Sequence, residues 1–279
     1  MKKTVLFGAL CAAFIAPAAM VQSAHAEEAA ADAAAAPALT ANISAVTSYR
    51  FRGIDQTFGK PALQGGFDYA HSSGFYVGNW NSNVSSGAGY PDGNLEMDFY
   101  GGYKQAFGDF GIDVGAIYYY YPGSEIRGAT GGRNNGVADN KEVYIGGSWK
   151  FLSLKYSYAV DDYFGARGDN GARTRGSNYL DLSANYDLGD GWGVNGHVGR
   201  FDYKDVTNGD YTDWKLGVTK DISGWVVGAS YVGTNAKGDV GQPYRFSNSL
   251  SDAGNTTTSG SKSKDAGRGI AILSVSRTF

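Results

Sequence analysis

A closed antiparallel up-and-down transmembrane β-barrel of about twelve strands is the fold this sequence predicts, on three observations. Segments of about ten residues alternate apolar and polar side chains from Leu39 to the C-terminus, the weak per-segment signature of barrel strands. The links between them alternate between short and long. Aromatic residues cluster beside the short links. The 42 glycines and 20 tyrosines suit an all-β chain, and after the leader no run of about 18 apolar residues offers a helical span.

The chain opens MKKTVLFGALCAAFIAPAAM and reaches Ala24-His25-Ala26 before Glu27. Two lysines, a short apolar run and an A-x-A site predict a cleaved secretory signal peptide over 1–26. Cys11 lies too early, in the wrong context, to be a lipidation site. Cleavage removes Lys2 and Lys3 and takes the formal charge from −3 to −5. It leaves no cysteine, so a secreted chain must stabilise itself by burial or by a closed hydrogen-bond network. This acidic balance gives nucleic acid no footing. Residues 27–38, EEAAADAAAAPA, predict an Ala-rich periplasmic linker, and 39–279 the barrel.

Strands are expected near 40–53, 61–71, 74–84, 93–107, 110–121, 141–151, 153–162, 177–188, 191–203, 212–221, 224–234 and 267–279. The alternation is clearest where Leu180, Leu182, Ala184, Tyr186 and Leu188 oppose Asp181, Ser183, Asn185 and Asp187. In the first strand Ala41, Ile43, Ala45, Tyr49 and Phe51 oppose Asn42, Ser44, Ser48, Arg50 and Arg52. A soluble sandwich alternates too, but its Greek-key links would not keep this rhythm. The short links are Ser72-Ser73, Gly108-Asp109, a break at Leu152, Gly189-Asp190 and Ile222-Ser223. An even strand count then puts both termini on the tight-turn side, the periplasm. Phe75, Phe107, Phe110, Trp149, Phe151, Trp192 and Trp225 flank these turns as an interfacial girdle. In IYYYYPG, residues 117–123, Tyr118 and Tyr120 are expected outward, and Tyr119 and Tyr121 inward at the pore rim.

The last strand, GIAILSVSRTF, ends on an aromatic in the outward register. It looks like the signal that barrel-assembly machinery reads through Phe279; outer-membrane lipid and lipopolysaccharide would surround the wall. The stretch SYRFRGIDQTFGKPALQGGFDYAHSSGFYVG, residues 48–78, with Y-x-F-R-G-I at Tyr49 to Ile54 and Q-G-G-F-D-Y at Gln64 to Tyr69, resembles the TorF-type putative outer-membrane porins. The resemblance implies an outer-membrane channel in a Gram-negative bacterium, with no agreed substrate and no established binding residues. Asp55 and Arg277 depart mildly from the family's pattern.

Chemistry is sparse. After the leader only His71 and His197 remain; with no cysteine a structural zinc site is ruled out, and the loop acids lack calcium-loop spacing. No cofactor is expected. His71-Ser72-Ser73 invites comparison with a hydrolase, but it falls on a periplasmic turn with no acid placed to orient the imidazole, so an enzyme is not expected. His197 is a lone lumen histidine. On the inward face the parity puts Arg50, Arg52, Lys104, Lys150, Lys155 and Lys215 opposite Asp68, Glu96, Asp98, Asp113, Glu142, Asp161, Asp181 and Asp187. The candidate pore-lining residues are Arg50, Arg52, Asp68, Glu96, Asp98, Lys104, Tyr119 and Tyr121. Twelve strands about 4.8 Å apart give a backbone diameter of roughly 24 Å, leaving about 10 Å or less between side chains. The reading is a monomeric porin for passive diffusion of small polar solutes, with loop 122–140 a candidate plug. The alternatives are a closed structural or adhesive barrel working through its outer loops, and an outer-membrane hydrolase around His71.

Overall fold

The computed structural model describes residues 38–90, 93–126, 136–247 and 263–279. The leader, all of the linker but its last residue, and the middles of loops 122–140 and 235–266, Arg127 and Arg133 included, lie outside the described residues.

Twelve strands form the wall: β1 Leu39–Val46, β2 Ala62–Ala70, β3 Phe75–Asn83, β4 Leu95–Phe107, β5 Phe110–Tyr120, β6 Asn140–Trp149, β7 Leu152–Ala159, β8 Asn178–Gly189, β9 Trp192–Asp202, β10 Tyr211–Ile222, β11 Trp225–Thr234 and β12 Ile270–Thr278. Each pairs antiparallel with the next, and β12 returns to β1 in register Asn42↔Thr278 to Val46↔Ser274, closing the barrel. Closure removes every sheet edge, as backbone placed in hydrocarbon requires.

The outer wall is apolar and exposed. Leu63, Phe67, Val143, Ile145, Leu182, Leu216 and Leu273 point away from the lumen. Such a continuous apolar surface belongs in lipid, so the fold is a transmembrane barrel. At its tight-turn end the seven expected girdle aromatics are exposed. Arg277 completes the ring, its guanidinium 5.4 Å from the Trp225 ring centre and 5.2 Å from that of Phe279. This explains how an outward arginine is tolerated there.

The tight turns follow backbone chirality. Ser223 and Gly224 both take positive φ between the paired Ile222 and Trp225, the type I′ geometry that matches strand twist. One turn differs from expectation: Leu152 begins β7, and the reversal falls on Lys150-Phe151, with Lys150 at φ 53°. Lys150 therefore sits outside the lumen, its Nζ 3.9 Å from Asp109. Asp161, also expected inward, is a loop residue beside Lys141 and Arg173.

The larger correction concerns the first strand. It stops at Val46, not near residue 53, and the chain turns into the barrel. Arg50–Phe51 pairs with Ile54–Asp55 as a small hairpin. Tyr49 and Phe51, expected to face lipid, are buried inside. The physical reason is their company: Tyr49 meets Trp80 edge-on at 5.5 Å and Phe51 meets Tyr119 at 5.5 Å, so both rings find dry aromatic surface within the lumen.

Candidate functional site

The hairpin turns on Arg52 and Gly53, at φ 49° and 79°. Again both central residues are left-handed, the I′ requirement. Gly53 is held by space as well as by φ: a Cβ there would fall 2.4 Å from Thr234 Cγ2 and 2.7 Å from Asp213 Cβ. The tip thus lies against β10 and β11.

Arg52 reaches across the barrel to Glu142 on β6, five strands from β1. The pair is bidentate, Nη1 to Oε1 at 2.9 Å and Nη2 to Oε2 at 2.7 Å, with side chains 4% and 2% exposed. Such a fork matches guanidinium to carboxylate in both charge and shape. Asn140 Nδ2 donates to Glu142 Oε1 at 3.1 Å, and Arg52 Nη1 also donates to the Tyr163 hydroxyl at 3.2 Å. The guanidinium lies 4.5 Å from the Tyr179 ring centre and 4.8 Å from that of Phe51. A left-handed arginine costs backbone energy; this clamp supplies the compensating contacts.

Arg50 holds the hairpin base. Its Nη1 donates to the Ala266 carbonyl at 2.8 Å and its Nη2 lies 3.8 Å from Asp55. Burial lowers the Arg50 pKa from its ordinary value, against the opposing pull of Asp55. Above the hairpin the long loops fold inward. Tyr90 stacks on Tyr121 at 4.1 Å, and Phe164 contacts Phe51, Tyr119 and Tyr121. Burial raises the Tyr90 and Tyr163 pKa values, so both phenols remain neutral. Hairpin and loops together pack the long-loop half of the lumen.

Below this plug lies a cavity of about 170 Å³, lined among others by Arg50, Arg52, Tyr119, Lys155, Tyr179, Asp181, His197 and Lys215. Asn185 lines it and is exposed, although it points inward, so water enters from the tight-turn end. The lumen is a vestibule wet at one end and packed at the other.

Of the eight candidate pore-lining residues, Arg50, Arg52 and Tyr119 line this cavity. Tyr121 is inside the plug, not at an open rim. Its outward neighbours Tyr118 and Tyr120 stack at 5.9 Å, and Tyr118 donates to Asp139. Asp68 accepts from the Tyr100 hydroxyl at 2.5 Å. Lys104 lies over the Tyr76 ring at 5.5 Å, whose hydroxyl donates to Asp113 at 2.6 Å. Glu96 and Asp98 are buried on β4, and neither Asp98 carboxylate oxygen has a hydrogen-bond partner among the described residues. The two arginines therefore meet Glu142 and Asp55, not Asp68, Glu96 and Asp98. Tyr179 carried no sequence signal beyond inward parity.

His197 stands between two carboxylates, Nδ1 3.0 Å from Asp181 and Nε2 3.4 Å from Asp213. His71 Nδ1 lies 2.7 Å from Ser73 Oγ, and Ser73 N–H also donates to this nitrogen. That is local turn bonding on an exposed tip; among the described residues no carboxylate pairs with His71. Among those residues no group of three potential ligands is placed to hold a metal.

The model of a family described as bacterial protein of unknown function (Gcw_chp) matches residues 30–261. No curated protein sequence matches the chain. Among solved structures, the chain is similar to KdgM porin at 9% identity and TM-score 0.48, over 86% of this chain and 98% of that one. NanC porin gives 9% and 0.48 over 87% and 99%. OccAB3 of Acinetobacter baumannii gives 13% and 0.39 over 88% and 65%.

Proposed function

We propose that this chain, which belongs to the Gcw_chp family of bacterial proteins of unknown function, is an outer-membrane porin for small polar solutes, described here with its long-loop end closed. One observation carries the reading: an apolar, outward-exposed shell encloses a vestibule lined by charged and hydroxylic side chains. A barrel serving only as an anchor has no use for an interior charge set that must be desolvated and neutralised. The resemblance of residues 48–78 to TorF-type porins supports the same reading. The leader over 1–26 would route the chain to the periplasm, and the strand ending at Phe279 would present it to the assembly machinery. Both termini then lie in the periplasm and the vestibule opens there.

The packed hairpin favours a second reading, a closed barrel that works through its outer loops. Planar-bilayer recordings separate the two. Currents from the purified chain, larger once the Arg52–Glu142 clamp is broken, fit a porin with a displaceable plug. Silence from both the parent and the clamp variants would leave the closed barrel. A hydrolase is disfavoured by the incomplete His71 site; esterase turnover lost on His71→Ala would reinstate it.

A further inference from the structure

Most charges that line or border the cavity are satisfied by a neighbour. Arg52 has Glu142, and Arg50 has Asp55. Asp113 and Asp213 accept from the hydroxyls of Tyr76 and Tyr179. Asp181 takes His197 and the Ser183 hydroxyl. Glu96 and Asp98 do not line the cavity.

Two cations of the cavity wall break the pattern. Lys155 on β7 and Lys215 on β10 both line the cavity, and among the described residues neither ammonium has a carboxylate within ion-pair distance. Lys155 lies over the Tyr144 ring at 3.9 Å; Lys215 has no hydrogen bond or ring contact among those residues. An unpaired ammonium between low-dielectric walls needs a counterion, and a confined field concentrates anions from solution. Oxygen acceptors would also find donors here: Ser153, Ser183, Asn195 and Ser230 line the same cavity. Positive rings of this kind set anion preference in pores.

Their number narrows the class. The lysines stand three strands apart, roughly 14 Å along the wall, and both line the same cavity. Two separate ammoniums on one cavity suit a ligand with charge at both ends better than one compact ion. We infer that the vestibule holds a binding station for small dicarboxylates, with Lys155 and Lys215 each taking one carboxylate. The inference rests on the porin reading for its transport meaning, but binding itself does not require conduction.

Calorimetric titration of succinate into the detergent-solubilised full chain at low salt tests it, with neutral succinamide as the control. One succinate should bind. Lys155→Gln and Lys215→Gln should each weaken binding about tenfold, and the double variant should abolish it. The double Lys→Arg variant should retain it, which excludes misfolding as the cause. No succinate binding by the parent, or undiminished binding in the double Gln variant, overturns the station. Reversal potentials under a salt gradient add the second arm. Binding without current removes the porin and leaves the station; current without anion preference or binding does the reverse.

Discussion

Glu142→Gln keeps the shape of the clamp and deletes its charge. In the parent, Glu142 receives both terminal nitrogens of Arg52, at 2.9 and 2.7 Å, in a nearly fully buried pocket. Removing one partner of a buried pair costs about 3–5 kcal/mol, because the other charge stays buried without compensation. A withdrawn hairpin would return Arg52 to water, so this penalty falls mainly on the closed state. Taking the lower figure, with a factor of ten per about 1.4 kcal/mol, the ratio of open to closed plug rises on the order of 100-fold. Single-channel recording reads this as open probability, with heat-shifted gel mobility as the check that the barrel has folded. The double variant Arg52→Ala with Glu142→Ala should disturb packing but strand no charge, so its energies should be clearly non-additive. An open probability for folded Glu142→Gln indistinguishable from the parent would refute the clamp as what holds the plug.

Three further outcomes follow from the same geometry. Gly53→Ala places a methyl 2.4 Å from Thr234 Cγ2 at φ +79°; the tip must withdraw, giving larger currents from a barrel with unchanged circular dichroism. Leu182→Arg, on the outward face in the middle of β8, should destabilise the barrel in lipid vesicles by about 2–4 kcal/mol, as read by denaturant titration; no change would argue that this face does not meet hydrocarbon. Cysteine at Asp239, exposed in the last long loop, should react with an impermeant maleimide on intact cells. Cysteine at Asp190, on a tight turn, should stay silent, and the opposite labelling would invert the orientation.

Strand number, strand order and most boundaries were legible in the sequence because they rest on local rules. Side chains alternate with period two, so Leu180 to Leu188 declare their face without reference to any other strand. Short links announce themselves through residues that accept positive φ. The hairpin obeyed the same grammar, and its signal was present. Arg52-Gly53 between Phe51 and Ile54 is as good a two-residue turn as Ser223-Gly224 between Ile222 and Trp225. Continued alternation through Tyr49 and Phe51 concealed it, since an aromatic that packs inside a plug and one that faces lipid look alike in sequence.

By itself, then, the sequence determined a lipid-facing closed meander with a charged interior, because hydrophobic periodicity and turn chemistry act between near neighbours. Only the tertiary structure decided which charges meet. Arg52 and Glu142 are 90 residues apart, and parity allowed Arg52 any carboxylate on the inner wall. Barrel closure fixed which wall faces the hairpin tip, and so which carboxylate Arg52 meets. Among the described residues, the same closure left neither Lys155 nor Lys215 a carboxylate within ion-pair distance, although both share the cavity with Asp181.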